Sequence, residues 1–137
     1  MAKTAFLGFG EVNTPAQLII DKCAKAAADL EQAGLELLKV FPITDDPAER
    51  DIKKALDSLR GQEFDSIVVC IAGWIPSHAV VKICEQYRHK PMVLWGLCGW
   101  MEEGRLVTTA DQAGTSAIRK VFYDLGYTFK YVYNIKS

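Results

Sequence analysis

Two tryptophans, a serine, a histidine and a few carboxylates and amides stand in this sequence where apolar runs give way to loops. Val69-Cys70-Ile71-Ala72-Gly73-Trp74-Ile75-Pro76-Ser77-His78 is an unbroken apolar run leading into an indole, a hydroxyl and an imidazole. Glu11 and Asn13 follow an earlier run, Trp100 follows a later one, and Asp111 and Gln112 precede the last helical segment. In an open α/β sheet, ligands bind beyond the carboxyl ends of the strands. Trp74, Ser77, His78, Glu11, Asn13, Trp100, Asp111 and Gln112 are therefore the candidate substrate-binding residues, and none of them is assigned a catalytic role. Aromatic faces beside hydrogen-bonding groups suit a polyol, whose C–H surfaces are apolar and whose hydroxyls need partners. The plainer alternative is structural: the tryptophans pack beneath loops or in a subunit interface, while Asp111 and Gln112 cap a helix.

Other chemistries find less support. Gly8-Phe9-Gly10-Glu11-Val12-Asn13 opens like a dinucleotide-binding loop, but asparagine replaces the third glycine. The acidic residue expected about 20 positions on is also missing, and Asp45 comes much later. Of the two histidines, His89 sits beside Lys90 at a predicted helix end, where the helix dipole accounts for it. His78 has Val81 and Lys82 at the following helical positions and no carboxylate on its face, so no metal site is expected. The cysteines, at 23, 70, 84 and 98, lack the close pairing of a metal knuckle or redox motif. Cys23, Cys70 and Cys84 read as small buried hydrophobes and Cys98 as the one with access to solvent.

The elements that position these residues follow from periodicity. Strands are expected from Thr4 to Phe9, Glu36 to Pro42, Ser66 to Ala72, Met92 to Leu97 and Phe129 to Tyr133. Helices alternate with them. Thr14-Pro15-Ala16-Gln17 reads as a capping box, and Asp46-Pro47-Ala48-Glu49 repeats the signal. A third helix is expected from Ser77 to about Tyr87, ahead of Pro91. Glu102-Glu103-Gly104 reads as a turn, followed by a short extended segment from Arg105 to Thr108. The pattern predicts one α/β domain over residues 1–137, a flavodoxin-like three-layer sandwich. Its parallel sheet has about five strands in the order 2-1-3-4-5, with helices on both faces.

Bulk composition narrows the function classes. With 137 residues the chain can bury roughly two-thirds of its unfolded surface. Sixteen basic against 17 acidic residues leave a formal charge of −1, which gives no phosphate-backbone footprint. No apolar run approaches the ~20 residues of a membrane span. Neither nucleic acid nor membrane is an expected partner, and free thiols in such a domain predict a cytoplasmic location.

Gly8-Phe9-Gly10-Glu11-Val12-Asn13-Thr14-Pro15, the Trp74 loop, Leu94-Trp95-Gly96-Leu97-Cys98-Gly99-Trp100, Thr108-Thr109-Ala110-Asp111-Gln112-Ala113-Gly114-Thr115 and Tyr131-Val132-Tyr133 together carry a family resemblance. The chain resembles, over essentially its whole length, the N-terminal domain of L-fucose/L-arabinose isomerase-type sugar isomerases. The resemblance implies a parent aldose–ketose isomerase of three domains with manganese. It places the metal ligands and acid/base carboxylates in later domains, leaving no cofactor in this chain. This domain would help to form the substrate pocket and the oligomer contacts, with the Trp74 loop as its sugar-facing element, and would not be catalytic alone. The expected partners are the other domains, neighbouring subunits and a sugar. One departure is that the arginine implied near the first strand is absent, since none precedes Arg50. The alternative function is a free-standing flavodoxin-like module binding a small ligand, a sugar or a nucleotide. Trp74, Ile75, Trp100 and Met101, read as apolar loop residues on one edge, predict weak two-fold self-association through that edge.

Overall fold

Strand-forming runs separated by helices long enough to cross over a sheet build parallel pairs, because a parallel connection needs a dozen or more residues. The computed structural model describes residues 2–133. In chain order the elements are β1 (Lys3–Phe9), α1 (Ala16–Gln32), β2 (Glu36–Ile43), α2 (Arg50–Leu59), β3 (Ser66–Ile71), α3 (Ser77–Cys84), β4 (Met92–Gly96), β5 (Trp100–Glu102), β6 (Arg105–Val107), α4 (Asp111–Leu125) and β7 (Phe129–Tyr133). The main sheet is five-stranded and parallel, in the order β2-β1-β3-β4-β7. This is the flavodoxin-like order read from the sequence, with β7 as the fifth main strand. The extra segment forms a separate antiparallel hairpin, β5 with β6, that pairs Met101 with Leu106. Its turn residues Glu103 and Gly104 both take left-handed φ, 50° and 76°.

Two apolar cores sandwich the sheet. Ile67, Val69 and Ile71 of β3 face a core shared with α2, α3 and α4, whereas Val68 and Cys70 face a smaller one shared with α1. The central strand is thus buried on both sides, which is why it reads as an unbroken apolar run. The larger core takes in Phe9, Ile52, Leu59, Ile83, Leu94 and Phe122, and the smaller one Phe6, Ile19, Cys23 and Leu97. Helices therefore lie on both faces as expected, but three on one and a single one on the other.

Several local expectations are corrected. The capping box at Thr14 does not form. The chain enters α1 through a turn in which the Thr14 amide donates to the Glu11 carbonyl (3.0 Å), and the extended Pro15 occupies the cap. Gln17 instead donates to Asp21 one turn on, at 2.7 Å. The second capping box does not form either: Glu49, with a left-handed φ of 56°, occupies the cap of α2, and the Asp46 carboxylate accepts from the amides of Arg50 (2.9 Å) and Asp51 (3.0 Å) from outside the helix. Those two amides hold its carboxyl below the usual range. α3 ends at Cys84, and Glu85–Tyr87 continue as a tighter 3₁₀ turn. Ile75, expected in an exposed loop, is 1% exposed and belongs to the larger core.

Gly96 lets α4 approach the end of β4. A Cβ there would stand 2.5 Å from Thr115 Oγ1 and 2.8 Å from its Cγ2. Gly104 faces open space and is constrained only by its φ. Gly96→Ala is expected to cost about 2–3 kcal/mol through overpacking. Gly104→Ala is expected to cost only about 1 kcal/mol through backbone strain. Urea midpoints compared at unchanged m-value check both, and equal costs at the two sites would refute the close approach at Gly96.

Candidate functional site

Beyond β4 the chain must turn from the sheet into the hairpin and back to the start of α4, and this crossing is where the polar residues collect. Asp111, the first residue of α4, is fully buried. One side-chain oxygen, Oδ2, accepts from the Lys22 ammonium at 2.5 Å, with side-chain exposures of 14% for Lys22 and 1% for Asp111. The other, Oδ1, accepts from the Thr108 hydroxyl (3.3 Å) and the Gln112 amide (3.0 Å). Lys22 also donates to Thr109 Oγ1 (3.0 Å), and the Thr109 hydroxyl donates to the Ala72 carbonyl (2.6 Å). The Trp74 amide donates to the Thr109 carbonyl (2.8 Å), which ties the loop after β3 into the same network. Among the described residues no buried side-chain nitrogen or oxygen lacks a partner. Negative charge at the first turn of α4 is further favoured by the helix dipole.

Two hollows meet at this network. One, about 430 Å³, lies between the hairpin and the start of α4 and is lined by Trp100, Met101, Leu106, Thr108, Asp111 and Gln112, among others. The second, about 350 Å³, runs along α1 beside β4, where Leu18, Lys22, Ala26, Trp95 and Leu97 contribute. Cys98, Gly99 and Trp100 border both. The Lys22 ammonium sits 5.6 Å from the Trp100 ring centroid, and the indole N–H donates to Glu102 at 3.0 Å. An aromatic face, the Thr108 hydroxyl and a helix start thus converge on one small space. Such a space can hold an uncharged polar molecule against an apolar wall.

Of the eight candidate residues, Trp100, Asp111 and Gln112 come together in the hairpin hollow. Trp74 joins them through its backbone, and its half-open side chain is 39% exposed. Glu11 and Asn13 bond to each other (3.2 Å) at the end of β1. Ser77 and His78 open α3, with His78 exposed. Glu11, Asn13, Trp74, Ser77 and His78 line neither hollow. Of the four residues expected to make this edge apolar, Trp74 and Met101 (63%) are exposed, Trp100 is half-buried and Ile75 is buried, while Leu106 (68%), outside that set, adds to the patch.

Cys23, Cys70 and Cys84 are buried and Cys98 is half-buried, as the sequence suggested. Burial pushes the Cys84 thiol up to about 12 and raises that of Cys70 strongly. Among the described residues no group of three or more His, Cys, Asp or Glu side chains could hold a metal ion. No described helix is long and apolar enough to cross a membrane. No protein-family model matches the chain, and no curated protein matches it.

Lys22, Thr108 and Thr109 were missed as members of this cluster by the sequence reading. A signal existed for Lys22: it follows Leu18 and precedes Ala26 at four-residue steps on a helix flank next to the apolar stripe. Removing one partner of a buried ion pair strands the other, so Lys22→Met is expected to destabilise the fold by about 3–5 kcal/mol. The double variant Lys22→Met/Asp111→Leu is expected to recover much of that loss, because both charges are then gone. Chemical denaturation checks the cycle, and additive single-variant losses would show that the two side chains do not act as a pair.

Proposed function

We propose that this chain is a pocket-forming domain of a sugar isomerase-like enzyme, resembling the N-terminal domain of the fucose/arabinose type and not catalytic by itself. The observation that carries this reading is the hairpin hollow. It stands at the carboxyl edge of a parallel sheet, where such folds bind ligands. Within it, Trp100 offers an aromatic face to sugar C–H groups, while Thr108, Gln112 and the start of α4 offer hydrogen-bonding partners. Two of the motifs behind the resemblance, 94–100 and 108–115, supply most of this hollow. In this reading the exposed Trp74, Met101 and Leu106 belong to contacts with the remaining domains or subunits, the ligand is an aldose or ketose, and the protein is cytoplasmic.

A second reading, a free-standing module for a small ligand, rests on the same hollow at the carboxyl edge of the sheet. The two readings differ in affinity. A partial pocket binds a sugar weakly, whereas a complete one saturates at micromolar concentration.

Titration of the purified chain with L-fucose, L-arabinose and D-arabinose, followed by amide and indole NMR, is expected to shift Trp100, Asp111 and Gln112 at millimolar sugar. Trp100→Ala is expected to weaken this by about tenfold, the scale of a lost aromatic contact in a partly dry site. No turnover is expected with added manganese. Isomerisation by this chain alone, or shifts confined to residues outside the hollow, would contradict the proposal.

A further inference from the structure

A sheet edge is a row of unpaired amides and carbonyls, and proteins that leave one in water blunt it with proline, charge or a bulge. The two edges of this sheet differ in that respect. β2 is blunted: Pro42 offers no amide, the register against β1 shifts between Leu7 and Phe9, and Glu36 and Lys39 put charge along the strand. β7 is not. It runs Phe129-Lys130-Tyr131-Val132-Tyr133, with no proline or glycine and a single charge, and among the described residues it pairs with β4 alone. The Met92 amide of β4 donates to the Thr128 carbonyl at 3.0 Å. Successive residues of a strand turn their backbone groups to opposite sides, so Lys130 and Val132 face β4 as Thr128 does. The amides and carbonyls of Phe129, Tyr131 and Tyr133 therefore point away from β4, along the outer edge.

A groove of about 810 Å³ runs beside this edge, lined by Arg119, Lys120 and Tyr123 of α4 and by Phe129, Lys130 and Tyr131 of β7, among others. Consecutive strand residues point to alternate faces, so one hollow touches all three of them only where it follows the edge. Three of the lining side chains are cations and none is acidic. The Arg119 guanidinium lies over the Tyr131 ring, 4.5 Å from its centroid, and neither Arg119 nor Lys130 makes an ion pair among the described residues. Lys120 pairs with Asp124 (2.8 Å), but both are exposed, and an exposed pair is weak enough to exchange. In a chain of net charge −1 this is a local excess of positive charge. We propose that the groove between α4 and β7 is the docking site for an extended acidic segment of another protein, which adds to the sheet as a further strand. Its backbone pairs with Phe129, Tyr131 and Tyr133, and its alternate carboxylates meet Arg119 and Lys120. A second copy of β7 suits the edge less, because it would bring two sets of the same cations together. None of these residues lines the hairpin hollow, so the proposal is independent of the sugar reading.

The test uses the full chain and three synthetic heptapeptides: one alternating glutamate with valine, one alternating lysine with valine, and the glutamate peptide with N-methylated amides. The glutamate peptide is expected to bind saturably by calorimetry, about tenfold more tightly than the lysine peptide. In hydrogen exchange the Tyr131 amide, open in the free protein, is expected to gain about tenfold protection on binding. The amides of Lys130 and Val132, already bonded to β4, are expected to change little. N-methylation is expected to abolish binding. The double variant Arg119→Glu/Lys130→Glu, at exposed positions, is expected to weaken glutamate-peptide binding about tenfold or more, with the denaturation midpoint unchanged. Equal binding of the glutamate and lysine peptides, binding that survives N-methylation, or none at millimolar peptide would overturn the proposal. So would a dimer, seen by sedimentation, in which the Tyr131 amide is already protected, because a second copy would then hold the edge.

Discussion

The ion pair between Lys22 and Asp111 is the contact on which the carboxyl edge of this domain depends. α1 lies on one face of the sheet and α4 on the other, so the pair passes over the end of the sheet and ties its two outer layers together. An ionised carboxylate in the protein interior costs several kcal/mol unless it is matched. Asp111 meets that cost with an ammonium, a hydroxyl and a backbone amide. Through Thr109 the same lysine fixes the loop after β3, so one cation sets the position of three crossing segments. It adds to the Trp74–Thr109 and Thr109–Ala72 hydrogen bonds that hold the start of α4 against the loop of Trp74, where Gly114 allows close backbone approach.

This arrangement explains why the hairpin hollow lies to one side of the sheet. The crevice at the strand-order reversal, between β1 and β3, is the usual ligand position in such folds. Here the Ala72 amide donates to the Phe9 carbonyl (2.9 Å) and the Trp74 amide to the Thr109 carbonyl (2.8 Å), which draws these segments together. The open space moves outward to the hairpin, whose exposed Met101 and Leu106 form an apolar cross-strand pair above α4. The two-layer imbalance follows a similar logic. Three helices give one face a continuous core from Ile52 to Phe122, while the other face ends at Trp95 and Leu97.

The fold was legible because its signals are local and mutually consistent. Period-two and continuous apolar runs marked all five sheet strands, and Gly34, Gly61 and Gly126 marked three helix ends with left-handed φ. Asp46 was legible as a partner for the first amides of α2, although the cap itself falls on Glu49. Thr14 misled because Pro15 can serve as the first helical residue or the cap, and the sequence pattern does not distinguish them. The site was legible only in part. Strand-end position drew attention to Trp100, Asp111 and Gln112, which meet in the hairpin hollow, but position does not encode which loops converge. Glu11 and Asn13 are occupied with each other, and Ser77 and His78 belong to a helix start in which Ile75 is buried. Lys22 escaped because it lies 89 residues from its partner, and pairing at that range is a property of the fold.

The most direct measurement of the account is amide hydrogen exchange in the native protein and in Lys22→Met, under conditions where both remain folded. If one ammonium holds the crossing segments, protection at Trp74, Ala110 and Gln112 falls together in the variant. Protection in the central strand, at Val68 and Val69, then stays close to the value set by global stability. Unchanged protection at Trp74 and Gln112 would contradict the claim that this ion pair organises the carboxyl edge.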